Sequence, residues 1–404
     1  MEKSYDVIII GGGAAGFFTA INIAANKSDI TIAILERGNS VLQKVKVSGG
    51  GRCNVTHACF DPKELVQYYP RGEKELLGPF HQFSCGDTFE WFEQRGVSLK
   101  IEEDGRVFPT SNTSQTIIDC FMNETKKYNI EVIKNQGVTN LISEKKSWKI
   151  FTKTDEYYSK NVVVAGGSSP KLWKLLAALG HSIVTPVPSL FTFNTQDDRI
   201  KEIPGVVVQH AEVEVLNSTL NTSGPLLITH WGLSAPAILK LSAFGARELF
   251  DKNYKFSIRI NFVQCDIESC LEVLKALKHQ LAKNLVVKYT QFDLPKRLWQ
   301  KLAIAATITE KTRWADLTKN QLENLASQLT EAVFTIDGKS TFKEEFVTAG
   351  GVSLKEINFK RFESKLHSNL FFAGEILDID AVTGGFNFQN AWTGGYIIAK
   401  AIAQ

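Results

Sequence analysis

The 404-residue chain lacks the features that would place it in several large functional classes. The opening Met1-Glu2-Lys3-Ser4 has no basic n-region, and the apolar run after it is too short for a signal peptide or a membrane span, so a cytoplasmic protein is expected. The six cysteines (Cys53, Cys59, Cys85, Cys120, Cys265, Cys270) show no paired metal-ligand spacing. Cys265 and Cys270 stand five apart, but no second pair or histidine cluster supports them. No metal site is expected, and a reducing compartment is the simplest setting. There is no G-x-S-x-G, which argues against a nucleophile-elbow hydrolase, and no G-x-x-x-x-G-K-S/T, which argues against a P-loop enzyme. Repeats and low-complexity tracts are also absent.

A large net charge is missing too. The formal total is +3, and the apolar (44%) and charged (22%) fractions are those of an ordinary globular protein. The distribution is uneven, however. Residues 251–320 hold 13 Lys and Arg against 7 Asp and Glu, a local excess of +6, so the rest of the chain sums to −3. A solvated helical surface explains this; so does a face that meets an anion or nucleic acid.

What is present begins at Tyr5. Val7 to Ile10 is a continuous apolar run, as expected for a strand covered on both faces of a parallel sheet. Gly11, Gly13 and Gly16 then fit G-x-G-x-x-G, with Ala14 and Ala15 between them. In this fingerprint the first glycine permits a tight turn and the second lets backbone approach a pyrophosphate. The third lets the helix pack closely on the strand. The helix N-terminus offers unpaired N–H groups to the phosphates. Glu36, with Arg37 after it, lies twenty residues beyond Gly16 at the end of a second apolar strand, where a carboxylate meets a ribose hydroxyl.

Further along, Lys44 and Ser48-Gly49-Gly50-Gly51-Arg52-Cys53-Asn54 form a loop. Residues 61–95 read as helical with Phe83, Phe89, Trp91 and Phe92 as anchors, and Ser111 to Tyr128 as another helix. Short strands are expected near 130–133, 137–142 and 147–152, then Val162 to Val164 running into Ala165-Gly166-Gly167. Residues 190–262 alternate in strand fashion, and 267–330 have helical period. From about Thr335 the first style returns: Phe346 to Gly351 and Leu370 to Glu375 are apolar runs ending in small residues, and a final helix begins near Gly385. We therefore expect a discontinuous nucleotide-binding domain (1–190 and 335–404), an inserted β-rich domain (191–265) and a helical cap (266–334). Two additional glycine-ended strands, the second followed by Asp378, Asp380 and Gly385-Phe386-Asn387, favour FAD over NAD as the held dinucleotide. Taken singly, either is equally a plain sheet-end turn.

These motifs occur in one order with Thr229-His230-Trp231-Gly232-Leu233-Ser234 and Thr383 to Gln389. Together they resemble the bacterial aminoacetone-oxidase-like, or BaiN-type, flavoproteins of the glutathione-reductase-like FAD class. The resemblance implies an α/β, Rossmann-like FAD-binding domain with the insertion described, non-covalent FAD and redox chemistry. Ala235 stands where the resemblance leads one to expect glycine. Members are linked to amine oxidation, to reduction of a conjugated C=C and to dihydrouridine formation in ribosomal RNA. The last two are one chemistry, hydride from flavin plus a proton from an acid.

The cofactor-binding candidates are Gly11, Gly13, Ala14, Ala15, Gly16, Glu36, Arg37, Lys44, Ser48, Gly49, Gly50, Gly51, Ala165, Gly166, Gly167, Gly374, Glu375, Asp380, Gly385, Phe386 and Asn387. The catalytic candidates are Arg52, Cys53, Asn54 and His230. Cys53 is either the proton donor or a small residue packed near the flavin. His230 either meets substrate or braces its turn. Lys44 and Ser48 either touch the cofactor or are solvated. NAD(P)H is expected as a transient electron donor; a second G-x-G-x-x-G is absent, so either NAD(P)H docks transiently at the flavin or the electrons come from elsewhere. The substrate is a small molecule or RNA, with no membrane partner. An amine oxidase and a non-catalytic FAD-containing RNA-binding protein are the alternatives.

Overall fold

The computed structural model describes residues 3–145, 147–340 and 347–404. The chain forms two compact units, one made of Met1–Val187 with Val347–Gln404, the other of Pro188–Phe346.

The first unit is built on a mixed sheet. Glu131–Ile133, Ile32–Leu35, Lys3–Ile10, Glu156–Val164 and Leu370–Phe372 lie side by side in that order and run parallel. The hairpin Asn140–Ser143/Trp148–Phe151 joins Glu156–Val164 in antiparallel fashion, and the short strands Glu363–Ser364 and Ile357–Asn358 extend the other edge. Val7, Ile8 and Ile9 are wholly buried, which is why the run is unbroken rather than alternating. The register has a functional consequence. Ile10 is level with Leu35 and with Val164, and Val164 with Phe372. The segments beginning at Gly11, Glu36, Ala165 and Ala373 therefore leave the sheet at one carboxyl edge, where open α/β sheets bind ligands.

Helix Ala14–Asn26 packs on the C-terminal helix Phe386–Ala403. The contact is close because Gly395 stands against Thr19, and it is filled by an aromatic cluster of Phe18, Trp91, Phe121 and Trp392. Residues 61–95 are largely helical, in separate pieces. They divide into Pro62–Leu65, a 3-10 turn at Val66–Tyr68, Glu73–Phe80 and Cys85–Glu93. Gly72 takes φ +96° before one piece, and Ser84 and Asp87 form a capping box before the last. The Ser111–Tyr128 helix is shorter than the sequence suggests, Gln115–Lys127. Phe346 lies outside the described residues; the strand after it is Val347–Val352.

The second unit holds a seven-stranded antiparallel sheet in the order Ala332–Asp337, Lys255–Asn261, Val207–Val215, Asn221–Ile228, Gly232–Ser234, Thr192–Asn194, Lys339–Ser340. Ala332–Asp337 belongs to this sheet, so the second unit runs past residue 335. Val213, Ile258 and Phe334 from the strands share one core with Leu274, Leu302 and Leu325 from the helices. The β-rich and helical segments are thus one body and not a domain with a separate cap. Among the described residues no helix is long and apolar enough to cross a membrane.

Ala235 precedes helix Pro236–Phe244 with φ 77° and ψ 179°. Glycine alone adopts that region without strain, and a β-carbon there costs about 1–3 kcal/mol. Ala235→Gly should therefore raise stability by about 1 kcal/mol in equilibrium denaturant unfolding, after glycine's own entropy cost is subtracted. An unchanged or lower midpoint would refute the strain.

Candidate functional site

Main chain, more than side chain, builds the site at the carboxyl edge. Gly16 sits where a β-carbon would lie 2.1 Å from the Gly11 carbonyl oxygen, so helix and strand meet backbone to backbone. Gly13 differs: a β-carbon there meets nothing within 4 Å. Gly13 is also the N-cap of helix Ala14–Asn26, with no side-chain cap and no acid in the first turn. This leaves an open cradle over unpaired N–H groups, the setting a pyrophosphate requires.

Glu36 is half-buried beside that cradle. Its two carboxylate oxygens accept the Gly12 N–H (2.9 Å) and the Gly38 N–H (2.7 Å). Arg37 is exposed next to it. The Ala165–Gly167 turn touches Gly11, and Gly374 packs on Ala15 at 3.3 Å from a built β-carbon. Glu375 carries the edge onward through an ion pair with exposed Lys44. The segments of Gly11–Gly16, Glu36, Ala165–Gly167, Gly374–Glu375 and Lys44 are brought together.

The chain then makes an unusual turn. Helix Gln43–Gly51 switches at Ser48 to ψ 147°, and Gly49, Gly50 and Gly51 follow with φ 58°, 68° and 84°. Three consecutive left-handed residues without a side chain form a bare surface; a β-carbon on Gly50 or Gly51 meets nothing within 4 Å. Ser48 Oγ donates to the Val45 carbonyl at 2.9 Å. Arg52 leaves the turn, pairs with Glu102 at 2.6 Å and lies over the Phe108 ring at 3.8 Å. The Arg52 guanidinium holds the Glu102 carboxyl below the usual range.

The opposite wall is the start of the C-terminal helix. Its N-cap Gly385 (φ 94°) abuts the strand Thr56–His57: a β-carbon would lie 2.5 Å from the Thr56 carbonyl oxygen. This helix also begins without a side-chain cap or a first-turn acid. Behind it, buried Gln389 accepts hydrogen bonds from Thr56 (2.6 Å) and Thr88 (2.9 Å), and Trp392 Nε1 donates to the Val55 carbonyl at 2.9 Å. The helix start is therefore locked to the segment that directly follows the glycine turn. Anionic charge developing near it would be stabilised.

Several candidates take roles other than those expected. Asp380 is wholly buried and paired through both oxygens with Arg71, so it braces the loop instead of presenting a carboxylate to a ligand. The Asn387 side chain closes on the Ala381 backbone in both directions, at 3.0 and 3.1 Å. Phe386 is 1% exposed and stacks on Tyr68, with ring centroids 4.2 Å apart. What this end offers a ligand is thus N–H groups. Cys53 is wholly buried; burial pushes its thiol up to about 12, against a small opposing effect of the Ser48 hydrogen bond. A thiol without surface does not meet substrate, so the geometry favours the packing role. Asn54 Oδ1 accepts the Val107 N–H at 3.3 Å and is likewise structural. His230 belongs to the second unit, exposed at the turn where Thr229 N–H donates to the Gly232 carbonyl at 2.7 Å.

Residues that sequence reasoning missed crowd the helix start. The His57 ring stacks on Phe386 at 4.6 Å, and its Nδ1 lies 3.3 Å from the Gly384 carbonyl oxygen. Half-buried Tyr68 keeps its phenol protonated, because burial first, and then Cys59 and Glu64, raise its pKa. Arg71 completes the group. No spacing in the sequence marks them; they follow an unremarkable loop.

Residues 5–401 match the family model described as HI0933-like protein Rossmann domain. The chain is 26% identical over 409 residues to the 3-dehydro-bile acid delta(4,6)-reductase of Clostridium scindens, covering 98% of each chain. It is 26% identical over 420 residues to the ribosomal RNA dihydrouridine synthase of Haemophilus influenzae, covering 100% of each. Among solved structures, the 3-ketosteroid-delta4-(5alpha)-dehydrogenase of Rhodococcus jostii RHA1 shares the fold with a TM-score of 0.52 at 13% identity, over 100% of this chain and 97% of that one.

The cradle makes a sharp prediction. Gly13→Leu is compatible with the backbone (φ −96°) and with the empty space around it, but fills the space over the helix start where the pyrophosphate is expected. The variant should purify folded, with an unchanged far-UV circular dichroism spectrum, and without flavin absorbance. Retention of stoichiometric FAD would place the pyrophosphate elsewhere.

Proposed function

The chain belongs to the HI0933-like Rossmann family of FAD-dependent oxidoreductases, and from that premise we propose that it is an NAD(P)H-driven reductase of an activated C=C, with uracil in ribosomal RNA as the specific substrate. When bound, FAD supplies the hydride that adds to one carbon of the double bond, and NAD(P)H docks transiently to replenish it. The observation that carries this reading is the pairing of two surfaces. The bare left-handed turn Gly49–Gly51 and the uncapped start of the C-terminal helix are tied together through Val55 and Thr56. The turn admits a flat ring against backbone, and the helix start favours the negative charge that a reduced ring carries.

The protein's own groups supply the remaining chemistry. Tyr68, half-buried and protonated, is assigned as the acid that delivers a proton to the second carbon. His57 orients it within the Phe386 stack. Arg52, held flat on Phe108 by its pair with Glu102, is assigned to a carbonyl of the ring or the substrate. Cys53 fills space behind the turn. The full-length relatives support the reaction class: one is named as a reductase and the other as a synthase of a reduced pyrimidine.

Anaerobic titration of the FAD-loaded protein with NADH and with NADPH tests the reading. Bleaching of the flavin by at least one donor is expected, with reoxidation by ribosomal RNA lacking dihydrouridine. Failure of both donors would overturn the reductase assignment. Tyr68→Phe should leave the bleaching rate intact and slow reoxidation by about 10²-fold or more; equal slowing of both steps would remove Tyr68 as the acid.

A further inference from the structure

The second unit segregates its charge. Residues 273–320 hold ten Lys and Arg against three Asp and Glu, whereas residues 188–272 hold seven against ten. Both segments share one hydrophobic core, so the imbalance distinguishes parts of a single body. Not all of these cations are available. Lys275, Lys301 and Lys319 are engaged by Glu272, Glu202 and Glu323.

Of the seven that remain without an ion pair among the described residues, four lie on one ribbon; Lys278, Lys296 and Arg297 lie off it. The stretch 282–288 runs antiparallel to 311–315. Leu285 bridges to Arg313, Val286 N–H donates to the Thr312 carbonyl (3.1 Å), and Trp314 N–H donates to the Asn284 carbonyl (3.0 Å). The inner side is rigid. Val286 and Trp314 are wholly buried, and Trp299 Nε1 donates to the Val286 carbonyl at 2.8 Å. Lys283, Lys288, Lys311 and Arg313 on the ribbon are all exposed. Tyr289, next in the chain, is an exposed aromatic at 51%. Four like charges on one backbone-paired ribbon repel one another. A polyanion relieves that repulsion and gains counterion release.

We propose that this ribbon is the docking surface for the phosphodiester backbone of RNA, with Tyr289 stacking on a base. The proposal rests on the RNA substrate proposed above. Several exposed cations distributed along two paired stretches fit a repeating phosphate better than a single anion, and an exposed ring next in the chain suits an unpaired base.

The test uses the FAD-loaded full-length protein and an in vitro transcript of a large-subunit ribosomal RNA domain, with affinity measured across a salt series. Lys283→Glu/Arg313→Glu should lower affinity at least tenfold at physiological salt and flatten the log–log salt slope by roughly two. Tyr289→Ala should weaken binding by roughly fivefold or more at unchanged slope. The charge-matched control Lys201→Glu/Lys255→Glu, on exposed residues outside the ribbon, should bind as the wild type does. Flavin bleaching by NAD(P)H should be the same in all variants. Wild-type affinity and slope in Lys283→Glu/Arg313→Glu, or an equal loss in the control, would overturn the surface while leaving RNA as substrate. A wild-type protein that bleaches with NAD(P)H but binds no RNA would overturn the RNA reading itself. Tighter binding to phosphatidylserine vesicles than to the transcript would overturn the ribbon as an RNA surface.

Discussion

At Gly11, Gly16 and Gly385 backbone meets backbone with no room for a side chain. A β-carbon at these positions would lie 2.5, 2.1 and 2.5 Å from the carbonyl oxygens of Ala165, Gly11 and Thr56. These three contacts set the spacing of the first unit. The first draws the turn after the leading strand onto the turn after its neighbour. The second seats the first helix on its own strand, and the third brings the last helix up to the segment behind the glycine turn. Because the parallel strands end level, the loops so gathered open on one edge. Their shared offering is N–H groups, which are fixed in direction by the fold and cost no rearrangement when an anion arrives.

Such an arrangement needs rigid support, and the support is polar and buried. Gln389, Thr56, Thr88 and Thr393 exchange hydrogen bonds out of contact with water, and Arg71 satisfies the wholly buried Asp380. Removing one partner of such a pair leaves a desolvated charge at a cost of about 3–5 kcal/mol. The loop that carries the start of the C-terminal helix is therefore held in a single position. A bound ring would meet the same N–H groups in every molecule.

Much of this was legible in the sequence. The strand–turn–helix at Val7–Gly16 announces itself by an unbroken apolar run followed by spaced glycines, and the return strands near 347 and 370 do the same. The residues that close the site were not legible, for physical reasons. Arg71 and Asp380 lie 309 residues apart, and their pairing depends on a loop with no periodic signal. Cys53 follows a glycine run that reads as open, yet the left-handed turn folds its thiol inward. Residues 61–95 read as helical, with Phe83, Phe89, Trp91 and Phe92 as apolar anchors, but no period marks where the pieces divide. The breaks at Gly72 and Ser84 are short-range events. Likewise, a change from strand to helix period within the second unit suggests two bodies, although both periods feed one core.

The joining of distant chain segments in the first unit also orders events during synthesis. The parallel sheet lacks Leu370–Phe372, and the first helix lacks its packing partner Phe386–Ala403, until those residues have been translated. Residues 188–346, by contrast, are contiguous and carry their own core, so they are free to condense while the rest of the chain is still emerging. A nascent chain can therefore carry a finished second unit before the site at the carboxyl edge is complete, because Gly374–Glu375 and the C-terminal helix are still to come. Its half-formed sheet waits with the Val162–Val164 end of one strand uncovered, and that interval is when the chain is most exposed to misassembly.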